Sequence, residues 1–83
     1  MSPTAWDFQN QLMAIQNGAG QSGQSYVDVE SGKLYKEVGG YPNPNHRMPV
    51  CCEVMRRLMR AGDSVVKEPT SGQGATLIIR YTV

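Results

Sequence analysis

Histidine occurs once in this chain, tryptophan once and phenylalanine once, and the only two cysteines are neighbours. Each shortage excludes something. A single histidine, His46, leaves no second imidazole to build a metal centre. A general base also needs a nucleophile or an orienting carboxylate within hydrogen-bond reach. Cys51 and Cys52 stand one peptide step apart, closer than disulfide geometry favours, and no second pair exists to complete a zinc site or a C-x-x-C motif. They are expected to be free, partly buried thiols on a helix. A pairing of His46 with either thiol is the one nucleophilic arrangement available. It lacks a third group, so no catalytic role is assigned. Carboxylates do not cluster at metal spacing, since Asp28 and Glu30 share a strand face but stand alone. Neither metal nor cofactor is expected.

Long apolar runs are missing as well. No stretch approaches the roughly 18 residues that would mark a membrane span. The opening MSPTAWDFQNQL lacks the basic end and apolar centre of a secretion signal, so the expected compartment is the cytoplasm. With 83 residues, 40% of them hydrophobic and 18% charged, the composition is that of one folded domain. A chain of this size buries only about 60–65% of its unfolded surface, which permits one layer of helices on one small sheet and no deep cofactor cavity.

The net charge of +1 conceals an asymmetry. Residues 1–45 carry Lys33 and Lys36 against Asp7, Asp28, Glu30 and Glu37. Residues 46–83 carry Arg47, Arg56, Arg57, Arg60, Lys67 and Arg80 against Glu53, Asp63 and Glu68. The surplus of cations gathers on one expected helix and its approach, where a nucleic-acid footprint would begin.

A first helix is expected from Thr4, whose spacing to Asp7 fits a capping box, with Ala5, Phe8, Leu12 and Ile15 as its apolar stripe. Asn17-Gly18 should end it, leaving GAGQSG as a flexible connection. A short strand follows over Ser25–Val29. Ser31 is placed to cap a second helix that Gly39-Gly40 ends, anchored by Leu34 and Val38. The proline-rich YPNPNHRMP cannot be regular. Pro49 opens a third helix, in which Cys51, Val54, Met55 and Leu58 make the apolar stripe and Gly62 marks the end. Its opposite face carries Glu53, Arg56, Arg57 and Arg60, with Arg56 and Arg60 one turn apart. Two β-prone runs, Asp63–Lys67 and Ala75–Tyr81, flank the turn from Pro69 to Gly74 and make an antiparallel hairpin. Leu77, Ile79 and Tyr81 share one face of it. Val54 and Leu58 should meet Phe8, Leu12 and Ile15 in the core, and the aromatic residues, Trp6 and Tyr26 included, read as core or half-buried anchors.

Helix, strand, helix, helix, strand, turn, strand is the order of an α+β winged helix. A generic three-helix domain with a terminal hairpin is the competing solution. The stretches GGYPNPNHRMPVCCEVMRRLM and SGQGATLIIRY resemble the small winged-helix modules that accompany HNH-type and other restriction endonucleases. The likeness covers the chain from Tyr35 onward. It implies a helix-turn-helix type DNA-recognition module whose third helix enters the duplex and whose hairpin is the wing. In this sequence that points to Asn45, His46 and Arg47 before the helix, to Arg56, Arg57 and Arg60 on it, and to Ser71, Gly72, Gln73 and Gly74 at the wing tip. Glu53 shares the helix face, and Lys67 and Arg80 would extend the basic surface onto the wing. The nuclease part of such systems is not represented in these residues, so cleavage is not expected.

Double-stranded DNA is therefore the expected partner, bound by a monomer or weak dimer acting as a small regulator or a stand-alone specificity module. A nuclease or other protein is a further expected partner. The alternative is a protein–protein adaptor on the same fold, using Met48, Met55 and Met59 as an adaptable contact surface.

Overall fold

The computed structural model describes residues 3–39, 47–70 and 74–83. They form a small α+β domain of three helices and a three-stranded antiparallel sheet. Helix α1 spans Ala5–Gln21 and starts as expected. The Asp7 amide donates to Thr4 Oγ1 at 3.3 Å, and the Thr4 amide donates back to the Asp7 carboxylate at 2.9 Å. Phe8 and Leu12 are fully buried, and Ile15 is half-buried against them.

The expected stop at Asn17-Gly18 does not occur; the helix continues for another turn, to Gln21. Gly18 and Gly20 weaken that turn, each by about 1 kcal/mol relative to alanine. Two features offset them. Ala19 is buried, and the helix closes in a Schellman motif around Gly23. Gly23 takes φ 83°, its amide reaches the Gly20 carbonyl, and the Gln24 amide reaches Ala19.

Strand β1 covers Tyr26–Glu30 and runs directly into helix α2, Ser31–Val38. Ser31 does not cap this helix; Glu30 occupies the cap position without a side-chain bond. The helix start is satisfied from across the fold instead. The Ser31 amide donates to the Leu77 carbonyl at 2.8 Å and the Gly32 amide to Ala75 at 2.9 Å. The Ser31 hydroxyl, fully buried, donates to the Gly74 carbonyl at 2.7 Å. The returning leg of the hairpin thus replaces a capping side chain.

Helix α3 spans Met48–Arg57, with Pro49 in its first turn as expected. It ends earlier than Gly62, because its last carbonyls find other donors. Leu58 is the C-cap, the Met59 amide turns back tightly to Arg56, and the Tyr81 hydroxyl donates to the Met55 carbonyl at 2.7 Å. Gly62, at φ 94°, serves the following turn. At the other end the Arg47 amide donates to the Tyr35 hydroxyl at 2.7 Å, which ties the start of α3 to α2.

Strands β2, Ser64–Lys67, and β3, Ile78–Thr82, complete the sheet in the order β1-β3-β2. β3 lies in the middle, with Val29 opposite Ile79 and Asp28 opposite Arg80. A bulge at Val66 shifts the β2 register, so Val65 faces Ile79 while Lys67 faces Ile78.

The three helices pack on one another, and the inward face of the sheet closes the core. Phe8 meets Tyr35 edge to face at 5.3 Å. Leu77, Ile79 and Tyr81 are fully buried, as their alternation predicts. Val54 joins them, whereas Leu58 is only half-buried because it has left the helix. Two aromatic assignments fail. Trp6 is 65% exposed and Tyr26 46% exposed, one outside the α1 stripe and the other on the outer sheet face.

Candidate nucleic-acid interface

Helix α3 is held on three sides, by α1, by α2 and by the hairpin base. Cys51, Cys52, Val54 and Met55 point inward. The residues it leaves exposed recur every fourth position: Pro49, Glu53 and Arg57. Arg47 stands exposed at its N-cap, and Arg56 lies half-exposed between the helix and the hairpin. A shallow groove of about 470 Å³ runs along this side, lined by Cys52, Glu53, Arg56 and Arg57.

The expected three-arginine face is divided. Arg56 forms an ion pair with Glu68, just beyond β2. Arg57 stays on the exposed face and leans toward α1, with Nη2 3.4 Å from the Gln9 side-chain oxygen. Arg60 is not helical, so it does not stand one turn above Arg56. Its amide donates to the Asp63 carboxylate at 2.9 Å and its guanidinium reaches the Thr82 carbonyl at 3.4 Å. The cause is the early end of α3, which turns the chain toward the sheet.

Arg80 is also occupied. It makes a two-pronged contact with Asp28 at 2.8 and 3.0 Å and stacks over the Tyr26 ring at 4.3 Å, on the sheet face turned away from the helices. It does not extend a basic surface toward α3. Lys67 does stand exposed on β2, with no partner among the described residues. Asn45, His46, Ser71, Gly72 and Gln73 lie outside the described residues.

Electrostatics along the groove are simple. The side chains of Glu53, Arg47 and Lys67 have no hydrogen-bond or ion-pair partner among the described residues. Cys52, which lines the groove, is buried as deeply as Cys51, against the expectation that only Cys51 would follow the stripe. Cys51 donates to the Ser31 carbonyl at 3.6 Å and Cys52 to the Gly74 carbonyl at 3.5 Å. Burial, helped by its neighbour, pushes the Cys51 thiol up to about 12, and burial raises Cys52 too. Such thiols stay protonated near neutrality and are poor nucleophiles.

The chain matches no protein-family model, no curated protein and no solved structure. Among the described residues, no group of three or more histidines, cysteines or carboxylates can hold a metal ion, and no helix is long and apolar enough to cross a membrane. The partners that sequence reasoning missed are Glu68, Asp63, Gln9 and Asp28. Glu68 and Gln9 lie 12 and 48 residues from the arginines they meet, so no local pattern announces them.

Proposed function

We propose that this chain is a winged-helix protein that binds double-stranded DNA, with α3 in the major groove and the β2–β3 hairpin against the phosphate backbone. The observation that carries this reading is the presentation of α3. Its apolar side is locked into the core, while its outer side shows Glu53 and Arg57, follows the exposed Arg47, and lies beside the hairpin that carries Lys67. The element order and the β1-β3-β2 sheet support the winged-helix layout. Cations at the helix start and on the hairpin suit phosphates, which position a protein, while the helix face meets base edges, which specify the site.

The test is a titration of labelled duplex at two salt concentrations. About three phosphate contacts give a salt dependence with a log–log slope near −3 on a weak, micromolar-range background affinity. Arg47→Glu with Arg57→Glu is expected to abolish binding and leave the thermal melt nearly unchanged, since exposed charges add little stability. Arg56 and Arg60 are left unchanged, because Arg56 is paired with Glu68 and Arg60 has left the helix. No duplex binding at low salt, or equal binding by the double variant, would overturn the reading.

A protein-contact role draws support from a different surface. Met55 is buried in the core and Met48 and Met59 are half-buried, which weakens the methionine surface first considered. Trp6 and Met13, seven residues apart on one side of α1, are 65% and 45% exposed and are the large apolar side chains that this helix shows to solvent. Salt-insensitive association that Trp6→Ala removes would favour this reading.

A further inference from the structure

Glu53 is out of place on a surface meant only to attract phosphate. It sits at the middle of the exposed α3 stripe, four residues after Pro49 and four before Arg57, and its carboxylate makes no ion pair among the described residues. Against a duplex its charge repels every phosphate it approaches, so it lowers affinity for DNA in general. That cost is recovered only where the carboxylate accepts a hydrogen bond from a base.

The major groove offers two exocyclic amines, N4 of cytosine and N6 of adenine. At adenine the amine stands beside the N7 lone pair, which opposes a group that can only accept. At cytosine an acceptor, O6 of the paired guanine, stands on one side of the amine only, where adenine's amine has one on each side. The carboxylate therefore selects cytosine. Arg57 lies one turn further along the same helix face, where side chains at i and i+4 are neighbours about 5–6 Å apart. Its guanidinium supplies the donors that O6 and N7 of a guanine accept. A carboxylate and a guanidinium side by side match the donor and acceptor edge of a single C·G base pair.

We infer that Glu53 and Arg57 together read a C·G base pair in the major groove, with Glu53 on the cytosine and Arg57 on its guanine. This rests on the DNA-binding reading above and gives it a base preference. Arg56 does not join the pair, because Glu68 holds it toward the hairpin. The ion pair links α3 to the segment just beyond β2. Glu53 gives up general affinity for discrimination, as a repulsive element does in any selective interface.

The experiment selects binding sites from a randomised duplex library with the wild-type protein, Glu53→Gln and Glu53→Ala. Thermal melts confirm that each exposed substitution leaves the fold intact. Wild type is expected to prefer C·G at one position by on the order of tenfold or more. Glu53→Gln should move that preference to A·T, because an amide donates to N7 and accepts from N6. Glu53→Ala should flatten the preference and bind unselected duplex more tightly than wild type. An Ala variant with the wild-type preference, or with weaker binding to unselected duplex, would overturn the inference. So would a wild type that binds duplex in a salt-dependent way without any base preference, and the DNA-binding reading would survive that result. A wild type that binds no duplex at low salt would end both.

Discussion

Asp63 gathers three donors into the turn between α3 and β2: the Arg60 amide at 2.9 Å, the Thr82 amide at 2.8 Å and the Thr82 hydroxyl at 3.0 Å. Burial alone would raise its carboxyl, but the donors from Thr82 and Arg60 outweigh burial and hold it below its ordinary value. The hydrogen bonds from Arg80 lower Asp28 in the same direction. Between the lowered folded value and the ordinary one, the unfolded chain binds more protons. The stability these carboxylates contribute is therefore whole above the ordinary value and fades as pH falls through the folded one. Thermal melts from about pH 5 down to about pH 2 should show a falling midpoint, and Asp28→Asn with Asp63→Asn should shrink the fall. Tyr81→Phe is a second residue-scale test. It removes the donor to the Met55 carbonyl at the end of α3, and is expected to cost about 1–3 kcal/mol in chemical denaturation. Some of this was legible in the sequence. The inward alternation of Tyr81 was plain, whereas Trp6, read as a core or half-buried anchor, stands in solvent because it falls outside the Phe8–Leu12–Ile15 stripe. That Thr82 would meet Asp63 and Arg80 would meet Asp28 was not legible, because these partners lie 19 and 52 residues apart.

At the scale of elements, the glycines separate what a helix prefers from what the fold requires. Gly18 has nothing within 4 Å of an added Cβ, and Gly20 would make only an ordinary 3.8 Å contact with Val83. Alanine at either position is expected to stabilise α1 by about 0.5–1 kcal/mol and to raise the melting midpoint. Gly32 is the opposite case. A Cβ there would lie 2.9 Å from the Ala75 carbonyl oxygen and 3.2 Å from its Cβ, at the place where the hairpin supplies the start of α2. Gly32→Ala should destabilise by about 1–3 kcal/mol, measured by the same melt. All six elements were legible, because each has its own periodicity and its own breaker. Their ends were less so. α1 overran Asn17-Gly18 because its true stop is the Schellman turn at Gly23, and α3 stopped short of Gly62 because Tyr81 and a tight turn took its last carbonyls. The stop of α1 is local, at the next glycine able to take positive φ, whereas that of α3 depends in part on Tyr81, a partner distant in sequence that no local pattern contains.

The whole molecule is a hub in which the hairpin base, the start of α2 and the floor of α3 meet at one peptide. The Gly74 carbonyl accepts from both the Ser31 hydroxyl and the Cys52 thiol. The orientation of the hairpin relative to α3 is thereby set by buried contacts. Ser31→Ala should loosen it, and the amides of Gly32 and Leu77 should then exchange with solvent faster while those of α1 keep their protection. The basic side of α3 was legible as a region and not as a geometry. Glu53 and Arg57 stayed where the helical spacing put them and Arg47 just before the helix, whereas Arg56, Arg60 and Arg80 were drawn to Glu68, Thr82 and Asp28. The bulge at Val66 has a consequence for how the protein behaves in a crowded solution. A three-stranded sheet exposes two open edges, and an open edge is a template for recruiting another chain. Here β2 is four residues long, kinked at Val66 and ends on Lys67, while β1 carries Asp28 and Glu30. Neither edge offers a flat, uncharged run, so filament growth by strand addition has no starting point at either side of the molecule.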